Sequence, residues 1–270
     1  MADNRPIGVF DSGLGGLTVV KELKRLMPKE SIIYFGDTGR VPYGSRSNET
    51  IMRYAREDEA FLLSQDVKMI IAACGTVSSV AYSTSEELPV PFFEVVKPAA
   101  QSAVATTKTG RIGVIGTPAT IRSRAHARAI LKLLPDAVTV CNACPLFVPL
   151  VEEGWIDPED EITRLTARRY LEPIIEANVD TLILGCTHYP ALEKIIADIM
   201  GEGVTLINMG TAIAERVKKA LLTSGNAADT PSADRYFVSD RVDTFSRIAK
   251  NLLGSDIEDK VEQIDIYKFI

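Results

Sequence analysis

Short apolar, β-branched runs recur along the chain at Ile7 to Phe10, Ile32 to Phe35, Lys68 to Ala73, Val90 to Phe93, Ile112 to Ile115, Ala137 to Val140, Thr181 to Leu184 and Val204 to Ile207. Most are separated by stretches in which apolar residues return every three or four positions, such as Leu17, Val20, Leu23 and Met27, or Ala191, Ile195 and Ile199. A continuous apolar run fits a strand buried on both faces, and the three-to-four spacing fits a helix with one buried stripe. The alternation predicts an α/β fold with mostly parallel sheet and helices on both faces, in which ligands sit beyond the carboxyl ends of the strands.

Those strand ends repeat. Ile7 to Gly13 (IGVFDSG) resembles Ile112 to Pro118 (IGVIGTP) at an offset of 105, and Val67 to Cys74 (VKMIIAAC) lines up with Val179 to Cys186 (VDTLILGC) at an offset of 112. Hydrophobic strands look alike, and chance similarity is one account. The sharper one is two similar parallel-sheet α/β domains facing each other across a cleft, each delivering a cysteine and a hydroxyl-bearing turn into it. The boundary falls near Lys97 and Pro98. The expected division is residues 1–97 with 208–270 as the first domain, on the Cys74 side, and 98–207 as the second, on the Cys186 side.

Bulk properties narrow the function. A chain of 270 residues is long enough for two modest cores, and 46% hydrophobic with 24% charged residues is globular composition. The formal net charge of -6, with no window rich in lysine and arginine, argues against a nucleic-acid partner. No apolar run approaches the roughly 18 residues of a membrane span, and no apolar signal core precedes the first strand, so the expectation is a cytoplasmic protein with no membrane partner. Cys74, Cys141, Cys144 and Cys186 are then expected as reduced thiols rather than disulfides.

Cys74 and Cys186 each end a buried strand with a helix expected just beyond, where unpaired N–H groups favour a thiolate and also bind a carboxylate. One such cysteine is usually a small core residue; two at matching places in a repeat point to chemistry. Asp11 ends the first strand as a possible proton partner. His188, two residues past Cys186, can hold or activate that thiol, with a backbone-bonded structural histidine as the alternative. His126, among Arg122, Arg124 and Arg128, reads as part of a solvated helix face, with a place near the cleft as the alternative. Gly13, Gly15 and Gly16 miss a dinucleotide fingerprint, whose third glycine would fall at Thr18, and suggest a tight turn whose backbone N–H groups approach a carboxylate. Cys141 and Cys144 have C-x-x-C spacing but no second pair to complete a zinc site; ordinary semi-buried thiols are expected, a redox dithiol less so, and no metal. The loop Gly36 to Gly44 is a candidate cleft wall, with Tyr43 presenting a polar tip.

These motifs resemble the glutamate racemases of bacterial cell-wall synthesis, within the aspartate/glutamate racemase superfamily. The resemblance spans essentially the whole chain: Ile7 to Thr18, Pro42 to Gly44, the Cys74 motif, Lys97 and Pro98, Gly116 and Thr117, Cys144 to Gly154, and Gly185 to Pro190. It implies cofactor-independent interconversion of L- and D-glutamate, supplying D-glutamate for peptidoglycan, in a protein that is often a homodimer. Cys74 would take the proton from D-glutamate and Cys186 from L-glutamate, with Asp11, Glu152 and His188 assisting. Asp11, Ser12, Tyr43, Gly44, Thr76, Thr117, Thr187 and His188 would contact the substrate, Gly75 through its backbone N–H alone. Such chemistry needs a base on one face of the α-carbon and an acid on the other, and cysteine, with an ordinary pKa of about 8.5, suits both roles. Without a recognisable pyridoxal lysine, the carbanion must be stabilised by N–H donors and exclusion of water.

Three positions depart from the family pattern: Gly75 where asparagine is usual, Glu94 where glycine is usual and His126 where tyrosine is usual. They bear on the shape of the pocket and on whether glutamate is preferred. Racemisation of aspartate or another small acid stays open, and so does a non-catalytic, two-lobed amino-acid-binding protein.

Overall fold

The structure is a computed structural model and describes residues 2–80, 88–254 and 257–269. Its strands are β1 (Ile7–Asp11), β2 (Ile32–Gly36), β3 (Met69–Ala72), β4 (Phe92–Glu94), β5 (Arg111–Gly116), β6 (Val138–Ala143), β7 (Thr181–Gly185), β8 (Thr205–Asn208), β9 (Arg235–Val238) and β10 (Val261–Gln263). They form two sheets, ordered β10-β9-β2-β1-β3-β4 and β6-β5-β7-β8, with every pairing parallel. Both are covered by helices, so the fold is two parallel-sheet α/β units.

The sequence repeat is a topological one. The block β2-β1-β3-β4 has the same order as β6-β5-β7-β8, so in both sheets the strand ending in the hydroxyl-bearing turn lies beside the strand ending in the cysteine. Register agrees, with Ile7 opposite Met69 in one sheet and Ile112 opposite Thr181 in the other. Chance similarity of apolar strands does not produce matched neighbours. The first sheet adds β9 and β10 beyond β2. Neither was among the expected strands. The apolar run Tyr236, Phe237, Val238 was a usable signal for β9, whereas Val261, Glu262, Gln263 lies at a sheet edge and becomes a strand only by pairing with β9.

The helices that matter to the site are α1 (Leu17–Leu26), α2 (Asn48–Ser64), α3 (Gly75–Val80), α4 (Val96–Thr106), α5 (Pro118–Ser123), α6 (Ala125–Leu133), α7 (Phe147–Glu152), α8 (Glu161–Glu176), α9 (Glu193–Met200) and α10 (Met209–Ser224). Leu17, Val20 and Leu23 give α1 its buried stripe, and Lys24 and Arg25 in its last turn complement the helix dipole. Asn208 caps α10 by accepting from the Gly210 N–H at 2.8 Å, and Gly225 closes it in the left-handed conformation at φ 71°. α10 packs on α1 and α4, and α4 packs in turn on α6 and β7 of the second unit. One continuous apolar core results, containing Val9 and Ile71 from the first sheet and Ile112 and Ile183 from the second. That core joins the units along one side of the seam. Among the described residues no helix is long and apolar enough to cross a membrane.

Candidate active site

At the carboxyl ends of both sheets the units enclose a cavity of about 450 Å³. Its walls include Ser12, Tyr43, Gly44, Cys74, Gly75 and Thr76 from one side and Thr117, Glu152, Cys186, Thr187 and His188 from the other. Eleven of the twelve residues singled out from sequence therefore meet there. Cys74 and Cys186 are both buried yet open into this space, and all four cysteines are free thiols.

The surroundings of the two thiols differ. Cys74 donates to the hydroxyl of Ser12 at 3.4 Å. Burial pushes its pKa up to about 12, and the nearby carboxylate of Asp11 acts in the same direction. Cys186 instead has a cation beside it: His188 Nδ1 lies 3.8 Å from its sulfur, and His188 Nε2 lies 3.1 Å from Glu152 Oε1. Burial alone would lower the pKa of His188, but the hydrogen bonds to Cys186 and Glu152 outweigh it and raise the value to about 10. At neutral pH His188 is an imidazolium between a sulfur and a carboxylate.

Asp11 is the exception among the expected residues. It is buried behind the cavity wall, where Oδ1 accepts from the Gly13 N–H at 2.9 Å and Oδ2 from the Thr187 hydroxyl at 3.3 Å. This carboxylate ties the first unit to the second. The neighbouring glycines explain themselves by the same contact. A β-carbon on Gly15 would stand 2.2 Å from Thr187 Oγ1 and 2.5 Å from His188 Nδ1, so the turn is glycine-rich because the other unit packs on it. The carboxylate that its backbone N–H meets is the protein's own Asp11.

Further expectations are revised. Tyr43 lies on the wall, but its hydroxyl is engaged by the buried carboxylates of Asp37 and Asp58 and does not form a polar tip toward the cavity. His126 is not on a solvated face: it is buried with Ala127 and Ile130 on α6, and its ring lies beside Gly185 at the end of β7. Glu94 caps α4, accepting from the Val96 N–H at 2.6 Å and the Lys97 N–H at 3.1 Å. Neither Glu94 nor His126 lines the cavity, so those two departures belong to the scaffold. Of the C-x-x-C pair, Cys144 is fully buried in the core and Cys141 half-buried in β6.

Val41 lines the cavity with the loop expected as a cleft wall, whereas sequence reasoning missed the apolar part of the facing wall, Pro145, Val148 and Pro149. A signal for it existed. Pro145, Val148, Pro149 and Glu152 follow the three-to-four spacing of one helix face, and α7 turns that face to the cavity while Phe147 and Val151 enter the core. Across the middle of the site the Thr76 and Thr117 hydroxyls meet at 3.0 Å, and Thr117 also caps α5 by accepting from the Thr120 N–H at 3.2 Å.

Two sheets that share one four-strand order each bring a thiol to a common cavity. Residues 7–217 match the Asp/Glu/hydantoin racemase family, and the chain belongs to that family. It is 46% identical to the glutamate racemase of Geobacter metallireducens, over 94% of this chain and 95% of that protein. Among solved structures, a glutamate racemase isoform of Bacillus anthracis superposes with a TM-score of 0.93 at 37% identity, covering 97% of this chain and 98% of its own. The glutamate racemase of Francisella tularensis, solved with D-glutamate, gives a TM-score of 0.90 at 37% identity, over 98% and 99% of the two chains.

Proposed function

We propose that this protein interconverts L- and D-glutamate without a cofactor, using one thiol on each face of the α-carbon. The observation that carries the reading is the opening of Cys74 and Cys186, from equivalent strand ends, into one cavity. Glutamate as substrate rests on relatives known as glutamate racemases at 42–48% identity over more than nine-tenths of the chain.

In the direction from L-glutamate, Cys186 takes the α-proton as a thiolate, with the His188 cation beside it, and Cys74 gives its own proton to the opposite face. The raised pKa of Cys74 keeps that proton on the sulfur until the carbanion forms. The reaction leaves Cys186 as thiol and Cys74 as thiolate, the pair required for the reverse reaction from D-glutamate. Ser12, Thr76, Thr117 and Thr187 offer hydroxyls, and Gly75 its backbone N–H, to the substrate's carboxylates and ammonium group. Glu152 holds His188 charged, and Asp11 acts from behind the wall through Thr187. Exclusion of water from a cavity closed by both units strengthens each of these interactions.

The same reading takes residues 1–97 with 208–270, and 98–207, as the two domains, supported by the membership of the two sheets. It places the enzyme in the cytoplasm, making D-glutamate for peptidoglycan, with neither nucleic acid nor membrane as partner and a homodimer as the assembly the family resemblance implies. The test is incubation with each enantiomer of glutamate and aspartate in heavy water without added cofactor. Glutamate should racemise with α-deuteration, and Cys186→Ser should abolish it. A protein that binds glutamate but exchanges no α-proton is a binding protein, and this reading is then wrong.

A further inference from the structure

Behind the cavity wall lies a charged cluster that the mechanism does not use. The loop from β2 to α2 carries Arg40, whose side chain is 7% exposed. Its Nε bonds Asp37 Oδ2 at 2.6 Å, Nη1 pairs with Glu57, and Nη2 bonds Asp58 Oδ1 at 3.1 Å. All five donors of a guanidinium lie in one rigid plane, and here that plane spans three carboxylates from two elements, the loop itself and α2. The ring of Tyr54 stacks on it, with 4.1 Å from the guanidinium carbon to the ring centroid, and that ring also packs on Tyr43.

The same carboxylates reach the wall. Tyr43, which follows Arg40 by three residues, bonds Asp37 and Asp58, and Asp37 also accepts from Ser239 at 2.8 Å. The segment Val41 to Ser45 lines the cavity alongside Ser12 and Cys74 of the same unit, and its Gly44 abuts Thr117 of the second unit. Arg40 itself touches no part of the cavity.

We propose that Arg40 is a positioning residue for the reaction: by drawing Asp37, Glu57 and Asp58 onto one plane beneath Val41 to Ser45, it sets where that wall stands and so how well the substrate fits. Burial and the neighbouring Asp37 push the pKa of Asp58 well up, and without the guanidinium the loop loses the donor that ties it at once to Asp37, Glu57 and Asp58. This rests on the assignment of the cavity as the substrate site.

The experiment compares the wild-type protein with Arg40→Lys and Arg40→Gln, measuring kcat and KM for D- and L-glutamate with α-deuteration as a second readout. A lysine keeps the charge but bonds fewer carboxylates at once, so Arg40→Lys should raise KM about tenfold while leaving kcat within about threefold, with Arg40→Gln worse in KM. A purely structural arginine gives a different result, because a smaller folded fraction lowers apparent kcat and leaves KM where it was. Should Arg40→Lys not accumulate as folded protein, Glu57→Gln loosens the cluster at the end away from the cavity and should raise KM about threefold. Unchanged KM in the folded variants overturns the proposal. If the wild-type protein itself exchanges no α-proton, the assignment of the site has failed instead.

Discussion

A β-carbon placed on Gly75 would stand 2.6 Å from the carbonyl oxygen of Gly185. The residue after one thiol thus lies against the residue before the other, and the two strand ends meet at a point where neither has a side chain. Gly185 is itself pressed on Ile115, whose carbonyl oxygen would lie 2.5 Å from a β-carbon there. The asparagine usual at position 75 in this family does not fit this spacing.

Gly75→Ala should therefore push the Cys74 and Cys186 strand ends apart and reduce kcat/KM about tenfold or more, since small errors in placing reacting groups are costly. The loss must be equal for both enantiomers, because the equilibrium constant of a racemisation is one. Initial rates in both directions check this, and rates equal to wild type would show that the seam yields freely.

The His188 and Glu152 pair sets an alkaline limit. His188 is charged below about 10, so activity should fall as pH rises through that value. Glu152→Gln removes one of the two contacts that raise the pKa, and the limb should move to lower pH, on the order of one unit. A pH profile of kcat/KM for each protein decides the matter; coincident alkaline limbs would contradict it.

His126 should make the fold acid-sensitive. Burial lowers its pKa from 6.5 to about 4, and its Nε2 has no hydrogen-bond partner among the described residues. Between those values the unfolded chain binds the proton and the folded one does not. Stability is therefore full above about 6.5 and declines as pH falls toward 4, by roughly 3 kcal/mol in all. His126→Phe should remove this dependence. Urea midpoints at pH 7 and pH 4.5 test it, and an identical acid response in both proteins would refute it.

Glu94→Ala leaves the Val96 and Lys97 N–H groups without their side-chain acceptor and should cost about 1–3 kcal/mol in stability. Because Glu94 stands outside the cavity, kcat/KM should be unchanged. Thermal unfolding and steady-state kinetics on the same preparation separate the two effects, and a change in substrate preference would return Glu94 to the pocket.

By itself the sequence determined the eight strands with continuous apolar runs, their parallel arrangement, and the meeting of nearly all the candidate residues. These are consequences of local periodicity and of a rule that places sites at strand ends, and both can be read from neighbouring residues. Tertiary structure alone decided the rest. His126 and its flanking arginines have the same local pattern whether the histidine faces water or the interior, and only the packing of α6 turns it inward. Asp11 and Tyr43 have polar groups that fit a substrate as well as they fit Thr187, Asp37 or Asp58. Which partner they take depends on residues up to 176 positions away in the chain, as with Asp11 and Thr187. The spacing of the two units belongs to the same class, because it is set where Gly75 and Gly185 touch, and a glycine records in sequence only that some close approach is allowed.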